Sequence, residues 1–251
     1  MILHYDGSLS GFLCLLGHAI KERMKVTTII RGQQSMTADL FDSERQIATD
    51  ADWAAKVAEG LKAKLGKHFM TVLGQALFSE AEGIELDLLL LTRHALNQGC
   101  SILKQLTDPL VNRVDAAALR TVRERHRLLG LLRFTRLADD SYLARIIPRT
   151  NVVPQLGSHF AKRLGDQRWL IVDDRRKISV LGEKRRWQVL EQVEISTELK
   201  MHDHEQQIAD LWRGFYQRIS NPDRYNPKLR QQFMPKYYWQ YLTELQPGNI
   251  R

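Results

Sequence analysis

The 251-residue chain contains only two cysteines, Cys14 and Cys100, which lie far apart in the sequence. Two cysteines are too few for a disulfide framework or a cysteine-ligated cluster, and the paired C-x-x-C of the zinc deaminases is missing. We therefore expect free thiols in a reducing, cytoplasmic environment, with no metal and no cofactor.

Long apolar runs are also missing. The longest one, around Leu86–Leu91, is interrupted by Asp87, whereas a membrane-spanning helix needs about 20 apolar residues. The N-terminal segment has no positively charged region ahead of its apolar part, and Asp6 interrupts that part. We therefore expect neither a signal peptide nor a membrane partner.

Three common catalytic motifs are absent from the sequence. There is no G-x-x-x-x-G-K-[ST] loop, which argues against P-loop nucleotide hydrolysis, and no G-x-G-x-x-G follows a strand-like segment. There is no G-x-S-x-G elbow, which argues against the commonest serine hydrolases. His202-Asp203-His204 lacks a third ligand, so it indicates a helix cap region in preference to a metal site.

Positive charge is abundant and unevenly distributed. Residues 113–251 carry 26 Lys and Arg against 16 Asp and Glu, whereas residues 1–112 carry 11 against 13. All of the net charge of +8 therefore comes from the second half of the chain. Such asymmetry favours a polyanionic partner, with single- or double-stranded DNA first and an anionic membrane second. A solvated basic surface that only maintains solubility is the alternative.

The hydrophobic pattern predicts an α+β protein with two closely packed parts. Residues 1–127 are expected to be mainly helical, with short strands at Ile2–Tyr5, 26–30 and 46–49. Residues 128–251 combine an antiparallel β-β-α-β-β unit with a helical C-terminal tail. The helices of the first part are predicted at 9–22, from a cap at Asp50, around 69–77, at 84–97 and from Pro109 to about His126.

Three residues are weak catalytic candidates, namely His126, His159 and Asp173. His126 closes a long helix, where the helix dipole alone favours a histidine. Asp173 begins Asp-Asp-Arg-Arg, which resembles an acidic pair of a metal nuclease, although a hairpin turn explains both aspartates without catalysis.

The candidate DNA-binding residues come from the basic half and its tail. His159 and Arg163 are four residues apart on a predicted helix, beside Lys162, and so offer one face to phosphates. The complete set of candidates is Arg127, Arg133, His159, Lys162, Arg163, Arg218, Arg230, Lys236 and Tyr237.

Five aromatic residues crowd into nine positions of the stretch RQQFMPKYYWQYLTEL, residues 230–245. Aromatic side chains all round a short helix cannot all face one core. Tyr237 and Tyr241 are therefore predicted to stay partly exposed beside Arg230, where Tyr237 stacks on bases. The residues predicted to anchor the tail against the helix of Trp212 and Phe215 are Phe233, Trp239 and Leu242.

Several of these stretches together resemble a known family. They are YDGSLSGFLCLL, ERHRLLGLLRFTRL, VVPQLGSHFAKRLGDQRWLIVDDRR, LWRGFYQRISNPDRYNP and FMPKYYWQYLTEL. They are similar to the bacterial family labelled "probable DNA metabolism protein", which is built on a domain of unknown function, and the likeness runs from residue 5 to about residue 244.

The resemblance implies a functional context. Members of that family are paired with a radical-SAM protein of presumed DNA modification or repair, or are fused to a uracil-DNA-glycosylase-like domain. Neither the radical-SAM iron–sulfur motif nor a glycosylase motif occurs in this chain. We therefore expect a DNA-binding component of a bacterial repair or modification system, acting with a radical-SAM enzyme. The alternatives are a nuclease or base-processing hydrolase in its own right, and a protein–protein adaptor.

Overall fold

The computed structural model describes residues 1–32, 43–193, 199–221, 223 and 226–246. The chain divides into two compact units, Met1–Val122 and Arg123–Arg251. The structure is mixed helix and strand, with helices towards both ends and a central sheet, so the predicted α+β class is confirmed. No helix within the described ranges is both long and apolar enough to cross a membrane.

The first unit contains a three-stranded parallel sheet in the order β2-β1-β3. Its strands are β1 (Ile2–Tyr5), β2 (Thr28–Arg31) and β3 (Glu44–Gln46). The first strand lies where the sequence predicted it, and the other two are shifted by about two residues. The helices that accompany the sheet are α1 (Leu9–Lys21), α2 (Ala51–Leu77) and α3 (Ile84–Gln98), with a 3₁₀ helix at Cys100–Lys104. Helix α4 (Pro109–Leu131) begins in the first unit and continues into the second.

Local capping explains where two of these helices begin. The Ser8 side chain accepts a hydrogen bond from the Gly11 amide in α1, and Asp50 accepts one from the Trp53 amide in α2. Within α2, Gly66 adopts φ 84° and ψ 167°, dihedral angles that lie outside the helical range and that glycine can adopt. The break separates the two helical stretches that the sequence predicted. Cys14 is buried with a free thiol, whereas the side chain of Cys100 lies outside the described part.

The second unit contains a five-stranded sheet in the order β4-β5-β6-β7-β8. One detail of the prediction is wrong, because β5 and β6 are parallel, with Tyr142 opposite Trp169, while the other three pairs are antiparallel. The connection between β5 and β6 contains a helix that carries the chain back before the next strand starts. The strands are β4 (Thr135–Arg136), β5 (Tyr142–Ile146), β6 (Trp169–Asp173), β7 (Ile178–Glu183) and β8 (Arg186–Leu190).

The connecting helix α5 (Gly157–Leu164) covers one face of this sheet. Phe160 of α5 packs there against Trp169, with ring centroids 6.2 Å apart. Directly opposite Trp169 lies Gly182 of β7, where an added Cβ would come within 2.0 Å of the indole. Glycine is therefore required at this position of the sheet. Because side chains alternate along a strand, Leu143 and Arg145 of β5 point to the opposite face.

The C-terminal segments are α6 (Glu205–Ile219), α7 (Pro227–Phe233) and the 3₁₀ helices Lys236–Tyr241 and Thr243–Leu245. The predicted anchor is partly wrong: Leu242 is buried and Trp239 half-buried, but both belong to the core of the second unit and not to a contact with the helix of Trp212 and Phe215, and Phe233 is 70% exposed. Tyr238 takes that role, since it is 2% exposed and belongs to the core of the second unit. Phe233 ends a helix that buries no residue, and α6 likewise buries none within the described part of the chain.

Candidate nucleic-acid interface

Glu124 is a buried acidic residue of the second unit with an unusually complete set of hydrogen-bond donors around it. It is 3% exposed, and its oxygens accept hydrogen bonds from the amides of Arg149 (2.8 Å) and Thr150 (2.6 Å). The hydroxyls of Thr150 (2.6 Å), Tyr238 (2.6 Å) and Tyr237 (3.3 Å) complete the shell. A buried anion is tolerated only when it is hydrogen-bonded in this way. Glu124 thereby joins α4 to the loop after β5 and to the aromatic tail.

The two tyrosines remain protonated donors at neutral pH. Burial raises the pKa of the Tyr238 hydroxyl, and the negative charge of Glu124 raises it further. Burial also raises the pKa of Tyr237, while the positive charges of Arg149 and Arg127 oppose the rise. Arg127 and Arg149 therefore both act on the same phenol.

Cationic side chains surround Tyr237 on its outer side. The guanidinium of Arg149 lies 4.7 Å from the centroid of the Tyr237 ring. Arg175 and Arg176 each donate a hydrogen bond of 3.0 Å to the Arg149 carbonyl oxygen. Arg149 and Arg175 are exposed, and Arg127 is half-buried. We call Arg127, Arg149, Arg175 and Tyr237 the arginine surface.

Asp173 holds the turn that presents Arg175. Its side chain is fully buried, and Oδ1 accepts hydrogen bonds from the amides of Arg175 (2.9 Å) and Arg176 (3.1 Å). Its Oδ2 forms an ion pair of 2.7 Å with the Arg176 guanidinium. The carboxylates of Asp173 and Glu124 thus point into the protein, while the arginines point outwards. The surface is consequently positive despite the acidic residues beneath it.

A second group of cations lies on and beside α5. Lys162 and Arg163 are exposed, and the Arg125 side chain donates to the Gln155 carbonyl oxygen. His159 is half-buried against the Phe160 ring, and its Nε2 atom has no hydrogen-bond partner among the described residues. Burial lowers the pKa of His159, and the charges of Arg163 and Arg125 lower it further, so the imidazole is neutral at pH 7.

The remaining predicted residues lie in different settings. Arg133 makes two hydrogen bonds to Glu244 (3.1 and 2.7 Å) and lies over the Trp212 ring, which holds the tail on the unit. Arg230 lies over the Trp239 ring, 5.1 Å from its centroid. The other candidates, which are exposed, are His126 on α4, Arg218 on α6 and Lys236 in the tail.

The structure thus brings together Arg127 and Tyr237, and separately His159 with Arg163. No hydrogen bond, ion pair or ring contact joins the catalytic candidates His126, His159 and Asp173 to one another within the described residues. Over the same ranges, no three His, Cys, Asp or Glu side chains are arranged to hold a metal ion. The arrangement is suited to contacts with anions.

Sequence reasoning missed Arg149, Arg175 and Glu124. The two arginines follow Pro148 and Asp174 in loops, where no periodicity indicates the direction of a side chain. Glu124 stands in the run RERHR and has the sequence context of an exposed helical ion-pair residue. One available signal was the density of arginines at both ends of β5 and β6.

Comparison with known proteins gives one family match. A family model described as a domain of unknown function, DUF4130, matches residues 82–244. The match includes the whole arginine surface, while residues 5–81 of the wider sequence resemblance lie outside it. No curated protein and no solved structure matches the chain.

Proposed function

The chain belongs to the DUF4130 family of domains of unknown function, and we propose that it is a DNA-binding component of a bacterial DNA repair or modification system, acting with a radical-SAM enzyme. The observation that supports DNA binding is the arginine surface. The Arg149 guanidinium lies over the Tyr237 ring, Arg175 donates to the Arg149 carbonyl oxygen, and the charge of Arg127 on α4 acts on the same tyrosine. Guanidinium groups form paired hydrogen bonds to phosphate, so such a group is well suited to a phosphodiester backbone.

Tyr237 adds an aromatic ring to this charge. Nonspecific sites for single strands combine a positive surface that follows the backbone with aromatic rings on which bases stack. Tyr237 is half-buried and lies beside Arg149. The ring therefore favours contact with an unpaired base in addition to phosphate contacts.

The radical-SAM partner is proposed from the sequence resemblance alone. This chain has two cysteines, and it lacks the iron–sulfur motif that such chemistry requires. The partner would then supply the reaction, and this chain would hold the DNA. Purification of the two proteins together, with and without DNA, tests the association, and failure to co-elute under both conditions contradicts it.

Fluorescence anisotropy with labelled single and double strands over a series of salt concentrations tests DNA binding. We expect affinity to fall with salt, with a log–log slope of about −0.9 per phosphate contact for duplex DNA and about −0.7 for single strands. Arg149→Gln should reduce that slope by about one phosphate contact. Arg186→Gln removes the same charge from exposed strand β8 and should leave the slope unchanged. Absence of binding at low salt would overturn the proposal.

A further inference from the structure

The face of the five-stranded sheet opposite α5 borders a cavity of about 470 Å³ in the second unit. This volume lies within the range of about 300–1,000 Å³ that is typical of small-molecule sites. One wall is apolar and is formed by Leu137, Leu143, Leu199 and Met201. The cavity is distinct from the arginine surface, none of whose residues lines it.

The lining also carries guanidinium groups that can donate further hydrogen bonds. The Nε atom of Arg145 donates to both oxygens of Asp174 at 3.1 Å, and its two terminal nitrogens make no hydrogen bond within the described residues. Arg213 donates from Nε to the Thr243 carbonyl oxygen and from Nη1 to Asp210. Its Nη2 atom is therefore available to donate to a ligand. A guanidinium can donate five hydrogen bonds, so both side chains can bind a further anion.

Flat and polar groups also line the cavity, as do Arg133 and Glu205, whose carboxylate accepts a hydrogen bond from the Arg136 amide. Tyr241 contributes an aromatic side chain, fixed by a hydrogen bond of 2.6 Å from its hydroxyl to Asp174. Gln240 and Gln246 contribute amides, and the Gln246 amide nitrogen is held by the Trp239 carbonyl oxygen, which leaves its oxygen as an acceptor. An apolar wall, side-chain amides and arginines correspond to the three parts of a nucleotide: the faces of its base, the edge of its base and its phosphate.

We propose that this cavity binds a single nucleotide of DNA, with its base against the leucine wall and its phosphate at Arg145 and Arg213. That the bound nucleotide belongs to DNA rests on the proposed function. The cavity and the arginine surface share two segments of chain. Arg149 follows Arg145 by four residues, and Tyr237 and Tyr241 lie at the two ends of one 3₁₀ helix. The Cα atoms of Arg145 and Arg149 are therefore at most about 14 Å apart.

An unpaired or mispaired nucleotide is the preferred occupant, because it costs less to unstack than a paired one. A protein that holds one such nucleotide would present a defined position of the strand to a partner enzyme. The cavity thus adds selectivity for distorted DNA to the sequence-independent phosphate contacts.

Isothermal titration with the four deoxynucleoside monophosphates tests the cavity directly. Ala209→Trp places an indole into the lining and should weaken binding about tenfold or more, whereas Gln207→Trp, on an exposed position of the same helix, should not. Arg145→Gln should weaken binding of deoxyadenosine monophosphate about tenfold while leaving deoxyadenosine unaffected. Circular dichroism melting shows whether each variant is folded. If Ala209→Trp does not fold, Arg145→Gln still tests the cavity, because Arg145 is exposed and its replacement leaves the core intact.

The second arm compares a duplex that carries one unpaired nucleotide with its fully paired counterpart. We expect tighter binding of the first, and Ala209→Trp should abolish that preference without changing affinity for the paired duplex. DNA binding without any saturable binding of monophosphates overturns the cavity assignment and leaves the proposed function intact. Binding of monophosphates that Ala209→Trp weakens, without DNA binding, supports the cavity as a site for free nucleotides and overturns the DNA source.

Discussion

Replacing Glu124 by glutamine tests whether the buried carboxylate holds the second unit together. The carboxylate accepts five hydrogen bonds, three of them from Thr150 and Arg149 backbone or hydroxyl groups and two from tyrosines. The amide of glutamine can accept at one end only, so its nitrogen must face donors that previously pointed at an oxygen. The backbone amides cannot rotate away from it.

The expected loss follows from those contacts. A hydrogen bond to a charged group contributes about 1.5–3 kcal/mol, and a buried donor left without a partner costs about 1–3 kcal/mol. Loss of one strong hydrogen bond together with one donor left without a partner gives about 3–5 kcal/mol, a large fraction of the roughly 5–15 kcal/mol by which an ordinary domain is stable. For a protein of this size that corresponds to a fall in Tm of about 6–20 °C.

Urea unfolding followed by tryptophan fluorescence measures the effect. Glu183→Gln, the same substitution at an exposed position of β7, provides the matched control and should change stability by about 0.5 kcal/mol or less. Tyr238→Phe should be destabilising in the native background and less so in the Glu124→Gln background, with a coupling of about 0.5–3 kcal/mol. Equal stability of Glu124→Gln and Glu183→Gln would refute the reasoning.

Three further predictions follow from the same unit. Tyr237→Ala should weaken single-strand binding by about 1–3 kcal/mol while Tyr237→Phe, which keeps the ring, should not; equal anisotropy curves for the two variants would exclude stacking. The purified chain with Mg²⁺ or Mn²⁺ should leave normal and uracil-containing DNA intact on denaturing gels, and cleavage abolished by Asp173→Asn or His126→Ala would establish an enzyme instead. Because the pKa of His159 is lowered on folding, the unfolded chain binds more protons, and stability should fall as pH drops below about 6.5. Urea midpoints at pH 7.5 and 5.5 should therefore differ less for His159→Gln than for the native chain, and an equal difference would contradict the assignment.

The parts of the fold that sequence predicted are those with local causes. The strand Ile2–Tyr5 and the start of α2 follow from alternation and from the Asp50 cap, which act within a few residues. The direction of β6 relative to β5 depends on the path of the connection between them, over residues 147–168. No residue in either strand encodes that direction, so the antiparallel prediction was wrong for this pair.

The residues of the arginine surface also divide into those that sequence predicted and those that depend on distant contacts. Arg127 and Tyr237 were predicted because Arg127 stands at a basic helix end and Tyr237 in an aromatic tail, and in the structure the charge of Arg127 acts on the Tyr237 hydroxyl. Arg149 reaches Tyr237 only because Glu124 binds the amides of the loop in which Arg149 lies. Glu124 and the tyrosines of the tail are more than 100 positions apart in the sequence. A periodicity measured over a short window does not detect a contact at that separation.

The separation between Glu124 and Tyr238 also has a consequence for synthesis of the chain. Glu124 and Tyr238, which form the shorter of the two tyrosine hydrogen bonds, are 114 positions apart, so Tyr238 is made well after Glu124. A ribosome adds about 5–20 residues per second, so Tyr238 is synthesised roughly 6–23 seconds after Glu124. During that interval Glu124 can accept hydrogen bonds from Arg149 and Thr150, but the two tyrosine donors are still missing. Docking of Tyr237 and Tyr238 on Glu124 is therefore expected to follow the formation of the sheet in the second unit.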